Sequence, residues 1–175
     1  MNFDDHILED YKRSRKHFLD GNITAAEFYY GLNRSSNAID LYYEVELPEH
    51  VKFVHPFGTV LGRATYNDYL VVYHGCGVGS DLDGNRPTLG RGVVLFPGAK
   101  VLGKTTIGDN VFITANTVVQ NCTIASNSVV FPASHTSLHQ AMDHNIHRPI
   151  SCASRPTKRS VIDHFFKDVA DAKVH

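Results

Sequence analysis

Leu89, Leu95, Val101, Ile107, Ile113 and Val119 recur at every sixth residue without a break. Four places after each stands Val93, Ala99, Thr105, Val111, Thr117 or Thr123, all small or β-branched. Neither the 3.6-residue period of a helix nor the two-residue period of a simple strand sustains a spacing of six. The pattern predicts the hexapeptide repeat of a parallel β-helix. The repeat slips once, to Ile124, and resumes at Val130.

Before the repeat the period is helical. Ile7, Leu8, Tyr11, Phe18 and Leu19 share one face, and Gly21 stands where a left-handed C-cap residue ends a helix. Thr24 with Glu27 reads as a capping box opening a second helix, whose apolar face would use Phe28 and Leu32 toward about residue 34. From residue 41 to 131 short β-rich runs such as YLVVY and GVVLF alternate with glycines. The polar stretch SDLDGNRP, residues 80–87, has no place in the repeat and is expected as a loop thrown out from one coil. Ser160 with Asp163 starts a last amphipathic helix through Val161, Ile162, Phe165, Phe166 and Val169. The expected division is a helical segment over 1–40, the β-helix over 41–131, and a tail with a helix over 132–175. The fold class is mainly β.

Charge and composition narrow the partners. Seventeen Lys and Arg stand against eighteen Asp and Glu, and no basic run is long enough to track a phosphate backbone, so nucleic acid is not expected. No stretch approaches the roughly 18 apolar residues of a membrane span. The start, MNFDDHILEDY, is acidic where a signal peptide is basic. Cys76, Cys122 and Cys152 are odd in number and lack metal-type spacing, which suits free thiols in a reducing, cytoplasmic compartment.

Three stretches carry a family resemblance: HPFGTVLG (55–62), VVYHGCGVG (71–79) and NRPTLGRGVVLFPGAKVLG (85–103), followed by Ile107 and Gly108. They resemble the serine acetyltransferases of the hexapeptide acyltransferase family, in which a His precedes a glycine-punctuated run, a loop closes with D-R-H-P, and an I-G-x-G-A-x-I-L-G coil follows. The resemblance covers about half the chain and implies a left-handed parallel β-helix, a homotrimer with active sites between subunits, and acetyl-CoA as co-substrate without a metal.

By that resemblance His55 is the general base that takes the acceptor's proton, a task suited to an imidazole whose pKa lies near working pH. A carboxylate would orient it. Asp40 stands at the family's own spacing, fifteen residues earlier, whereas Glu46 in V-E-L-P resembles the family's V-D-I-H-P if a short deletion follows. Glu46 is the preferred candidate of the two. His74 would line the acceptor pocket. Cys76 beside it is read as buried filler rather than a nucleophile. In the acceptor loop Asn85 stands where the family has Arg and Arg86 where it has its second His, so serine recognition is altered; Arg86 could still fork onto a carboxylate or phosphate. Gly98, Ala99 and Ala115 match the small residues along which the pantetheine arm lies. Arg155, Lys158 and Arg159 resemble the basic tail that meets the nucleotide phosphates.

The expected function is therefore acetyl-CoA-dependent acetyl transfer to an acceptor hydroxyl, of the serine O-acetyltransferase type. One alternative is O- or N-acetylation of a sugar or nucleotide sugar in surface polysaccharide synthesis. A second is a non-catalytic β-helix assembly module. A zinc carbonic anhydrase on the same scaffold is disfavoured, because His50 and His55 precede His74 in the wrong order and His135, His139, His144 and His147 fall outside the repeat.

Overall fold

The computed structural model describes residues 3–132 and 153–167. Two helices come first, α1 (Phe3–Leu19) and α2 (Ile23–Asn37). Gly21 ends α1 with φ 77°, as its position predicts. The cap of α2 is not Thr24 but Asn22, whose side chain accepts from the Ala25 N–H at 3.2 Å. Asn caps as well as Thr and stands directly after the glycine turn, so it takes the role first. The buried face of α2 also differs from expectation. Phe28 and Leu32 are exposed, and Ala26, Asn33 and Asn37 face inward. The reason is close helix contact: Ser14 Oγ donates to Ala26 O at 2.6 Å, and Asn33 Nδ2 donates to Ile7 O at 3.1 Å, which large side chains would prevent.

The rest is a β-solenoid of three parallel sheets. The first sheet stacks β1 (Asp40–Leu41), β3 (Val60–Leu61), β6 (Gly77–Gly79), β9 (Lys100–Leu102) and β12 (Val118–Gln120). The second stacks β2 (Val51–Val54), β5 (Leu70–Tyr73), β8 (Val93–Leu95), β11 (Val111–Ile113) and β14 (Ser128–Phe131). The third holds β4 (Thr65–Tyr66), β7 (Thr88–Leu89), β10 (Thr106–Ile107) and β13 (Thr123–Ile124). Each six-residue step carries the chain to the next sheet, so the repeat residues Leu89, Leu95, Val101, Ile107, Ile113 and Val119 all point into one fully buried interior. Each such Leu or Ile contributes roughly 1.5–3 kcal/mol on burial. The slip at Ile124 keeps that residue in register with Ile107 by making one corner a residue shorter.

The second sheet is covered on both faces, which is why YLVVY and GVVLF read as unbroken apolar runs. Outside it, Tyr69, Val71, Val94 and Phe112 pack against Val161 and Phe166 of the C-terminal segment. That segment enters as β15 (Ala153–Pro156), antiparallel to β14, and turns into α3 (Val161–Phe165). Ser160 caps α3 by accepting from the Asp163 N–H at 3.2 Å, as expected. Asn110 clamps the turn: its Oδ1 accepts from Val161 N–H at 2.9 Å and its Nδ2 donates to Arg159 O at 2.8 Å. Val169 lies outside the described residues, as do Cys152 and the four histidines of 135–147. No described helix is long and apolar enough to cross a membrane.

Candidate active site

The corner between the second and first sheets is built alike in four coils. Gly58, Gly75, Gly98 and Asn116 stand there with φ of 68°, 63°, 75° and 56°. Two residues after each comes a first-sheet position, Val60, Gly77, Lys100 or Val118, in register. The corner is too sharp for ordinary backbone, hence Gly or Asn.

The first coil breaks the pattern. Val54 pairs with Tyr73, yet three residues, His55 to Phe57, fill the span that His74 fills alone one coil later. The extra length is a bulge in which His55 itself adopts φ 48°, Phe57 N–H donates to His55 O at 2.8 Å, and Thr59 N–H donates to Pro56 O at 3.1 Å. A non-glycine residue held there costs about 1–3 kcal/mol and is a pointer to function. His55 is exposed. Hydrogen bonds then climb the edge: Gly75 N–H to Phe57 O (2.8 Å), Gly98 N–H to His74 O (2.9 Å), Asn116 N–H to Pro97 O (2.8 Å). Phe57, His74, Pro97 and Ala115 thus form one column, with two histidines at its foot.

Asp40 lies under this bulge. Its N–H donates to Thr59 O at 2.9 Å, and Gly58 N–H donates to Ala38 O at 2.8 Å. Its Oδ1 accepts from the Tyr30 hydroxyl at 2.8 Å, and Arg34 Nε is 3.6 Å from Oδ2. Burial, and then this bond to Asp40, push the Tyr30 hydroxyl above its ordinary pKa, so it remains a donor. Arg34, Asp40, Gly58, Thr59 and Val60 line a hollow of about 280 Å³. Tyr30 and Arg34 escaped the sequence reading, although their spacing of four on a helix is the signal that places them on one face.

Glu46, the preferred carboxylate of the sequence reading, lies on another edge. Its Oε1 is 2.7 Å from Arg15, its side chain is 80% exposed, and it shares a hollow of about 470 Å³ with Glu44, Arg63, Thr65 and Arg86. That hollow flanks the corner between the first and third sheets. The register sets the difference: β1 starts at Asp40 and pairs Asp40 with Val60, which places Asp40 beside the strand that follows the His55 bulge, whereas Glu46 comes after β1 has ended.

Residues 80–87 leave the solenoid at that same far corner. Asp81 organises the loop, accepting from the Asn85 N–H and side-chain amide at 2.9 Å each and from the Asp83 N–H at 3.1 Å. These bonds, the Asn85 amide foremost, hold the Asp81 carboxyl below its ordinary pKa. Asn85 is therefore spent on loop closure, while Arg86 is exposed. Within one chain, Asp40, His55 and His74 share an edge, and Asn85, Arg86 and Glu46 share a different one.

Among the small residues, Ala115 belongs to the His74 column and is exposed, and Gly98 stands at the adjoining corner, its N–H donating to His74 O. The Ala99 methyl is fully buried in the core; its N–H donates to Phe96 O and its carbonyl accepts from Gly77 N–H. A cleft of about 680 Å³ opens between the outer face of the second sheet and α3, lined by Tyr73, Phe96, Phe112, Phe165, Arg159 and His164 among others. Tyr73, Phe96 and Thr114 on its floor directly precede His74, Pro97 and Ala115, so cleft and column are continuous. A neighbouring hollow of about 340 Å³ gathers Arg91, Lys158 and Arg159. Arg155 stays apart, its guanidinium 5.9 Å over the Phe131 ring. The Cys76 thiol is buried and directed at the carbonyls of Phe96 (3.3 Å) and Leu95 (3.5 Å), and burial raises its pKa, which disarms it as a nucleophile. Among the described residues no group of three or more His, Cys, Asp or Glu side chains could hold a metal ion.

Residues 86–121 match the family model "Bacterial transferase hexapeptide (six repeats)". Serine acetyltransferase of Synechococcus elongatus is 34% identical over 102 residues, covering 53% of this chain and 42% of that one. Serine acetyltransferase of Helicobacter pylori is 45% identical over 69 residues, covering 37% of this chain and 40% of its own length. The crystal structure of serine acetyltransferase isoform 3 of Entamoeba histolytica in complex with cysteine superposes with a TM-score of 0.65 at 29% identity, covering 74% of this chain and 48% of that chain. The chain thus spans less than half the length of these relatives. The six-residue repeat, the stacked solenoid with its helical start, and these likenesses make the chain similar to serine acetyltransferases over its solenoid, with residues 86–121 carrying the hexapeptide-repeat match.

Proposed function

We propose that the chain catalyses acetyl transfer from acetyl-CoA to an acceptor hydroxyl, with L-serine the first acceptor to test. The observation that supports this reading is the bulge itself: His55, at φ 48°, directly follows Val54, whose strand partner Tyr73 directly precedes His74, and the Asp40 N–H bonds Thr59 O at the end of the same bulge. His55 takes the hydroxyl proton as the acceptor oxygen attacks the thioester carbonyl carbon. The tetrahedral oxyanion collapses, the C–S bond breaks, and the CoA thiolate recovers the proton from the imidazolium. Asp40 orients the His55 ring and stabilises its cationic form; Glu46 has no part in that step. The pantetheine arm runs along Ala115 and Gly98, and the nucleotide end lies toward the aromatic cleft and the cations Lys158 and Arg159.

The acceptor loop requires a neighbour. Arg86 and His55 occupy different edges of a triangular solenoid, so one substrate meets both only where two chains pack edge to edge, as in a closed homotrimer. Free thiols suit a cytoplasmic setting. A sugar or nucleotide-sugar acceptor is the second reading, favoured by one feature: Asn85 is tied to Asp81 and cannot grip an amino-acid carboxylate.

A CoA-release assay across L-serine, other amino acids, amino sugars and nucleotide sugars tests the proposal. Turnover with serine, lost by roughly 10²–10⁴ in His55→Ala, is expected. No CoA release with any acceptor sinks the enzymatic reading and leaves the assembly module.

A further inference from the structure

The acetyl-transfer step needs hydrogen-bond donors where negative charge develops on the thioester oxygen. Small residues at a tight corner suggest that backbone N–H groups do this. At this corner they are already committed. Gly75 N–H donates to Phe57 O (2.8 Å), Cys76 N–H to Thr59 Oγ1 (3.1 Å), Gly77 N–H to Ala99 O (2.9 Å), Gly98 N–H to His74 O (2.9 Å) and Ala99 N–H to Phe96 O (3.0 Å). The solenoid ladder that builds the edge consumes the donors that an oxyanion would use.

One side chain supplies what the backbone lacks. Lys100 stands on the outer face of the first sheet, in register with Gly77 one coil below. Because Gly77 has no side chain, the Lys100 stem lies across it; a Cβ at Gly77 would come within 2.7 Å of Lys100 Cδ. This slot steers the ammonium to the corner, where it donates to the carbonyls of Gly75 and Gly98. Gly75 directly follows His74, and Gly98 belongs to the small-residue track above it. The side chain is half-buried, and none of the ion pairs among the described residues gives it a carboxylate. A partly desolvated cation held by neutral carbonyls has no opposite charge beside it, so an anion at this place would be drawn to it.

From this we propose that Lys100 is a catalytic residue, its ammonium stabilising the oxyanion formed at the thioester carbonyl as acetyl leaves CoA. The proposal rests on the acetyltransferase reading above. No proton changes hands: the lysine remains an ammonium, the carbonyl π pair moves to oxygen as the acceptor bond forms, and returns as the C–S bond breaks. A static charge at this place lowers the barrier without tightening ground-state binding.

The test is Lys100→Met, which keeps the stem in the Gly77 slot, alongside Lys100→Ala assayed with and without added ethylammonium. Expected for Lys100→Met is a fall in kcat of about 10²–10³-fold with the KM for acetyl-CoA and the melting temperature nearly unchanged. In Lys100→Ala, ethylammonium should restore part of kcat, which a purely structural lysine would not allow. Wild-type turnover with Lys100→Met near wild-type kcat overturns the role of Lys100 and leaves the enzyme reading intact. A loss of kcat matched by a loss of thermal stability, with no rescue by the amine, assigns Lys100 to structure and also overturns it. Absence of CoA release by the wild-type protein removes the acetyltransferase reading first, and this inference with it.

Discussion

His50 and Asp68 meet twice across adjacent coils: the His50 N–H donates to Asp68 Oδ1, and the imidazole Nδ1 lies against Asp68 Oδ2, both at 2.8 Å. The His50 ring stacks on Tyr69, 4.6 Å between centroids and 4° between planes. The Arg91 guanidinium covers the Tyr69 ring at 4.6 Å, and Phe166 meets it edge-on at 5.2 Å. This stack holds Tyr69, a bulky residue, at φ 63°, where later coils place Gly92, Asn110 and Asn127. The first coil is thereby fastened to the second and to the C-terminal segment.

Acid should loosen that fastening. Burial alone would raise the Asp68 carboxyl, but the hydrogen bonds from His50 and from the Tyr69 N–H, taken together with the His50 charge, hold the pKa below its ordinary 3.8. The unfolded chain therefore binds this proton at higher pH than the fold does. The stabilisation is fully present above the unfolded value and is lost as pH falls through the lower, folded one. Thermal melts between about pH 5 and pH 3 should show a steeper loss for wild type than for Asp68→Asn. Identical slopes would mean that Asp68 contributes nothing to acid stability.

Gly90 and Gly108 stack without room for a methyl group. A Cβ at Gly90 would come within 2.5 Å of the Gly108 carbonyl carbon, and one at Gly108 within 2.5 Å of Ser126 N. Gly90→Ala should destabilise by about 1–3 kcal/mol through overpacking against backbone. Urea unfolding measures it, and an unchanged midpoint would show that the coils separate freely.

Asn110 holds the C-terminal turn by its side chain and its corner by its left-handed backbone, φ 55°. Asn110→Gly keeps the backbone and deletes the clamp. Amide exchange over 157–166 should accelerate while the solenoid strands remain protected. Unaltered exchange would assign the docking of α3 to Val161 and Phe166 alone.

The two carboxylates separate cleanly. With CoA release as the readout, Asp40→Asn should lower kcat by roughly 10²-fold or more, while Glu46→Gln leaves kcat nearly intact. The reverse pattern would return the orienting role to Glu46.

The interior of this protein was legible in the chain. A buried position every sixth residue is a local periodicity, because six residues carry the chain across one sheet face of a solenoid and round the turn to the next. For the same reason the loop at 80–87, which interrupts the period, and the capped helix at Ser160 stood out before any contact was known. What lay beyond the sequence was which corner each polar residue occupies. Asp40 and Glu46 differ by six residues and sit on different edges, decided by a strand register and a bulge that exist only once coils pair. The Ala99 methyl points inward and Lys100 outward, yet the Lys100 ammonium reaches the corner only because Gly77, twenty-three residues earlier, leaves a slot beneath it. Likewise Phe28 and Leu32 carry a helical apolar pattern but remain exposed, since close packing of α1 on α2 selects Ala26 and Asn33. Periodicity names the residues that leave water, a one-body preference; the site depends on distances between residues far apart in the chain, which only the stacked coils set.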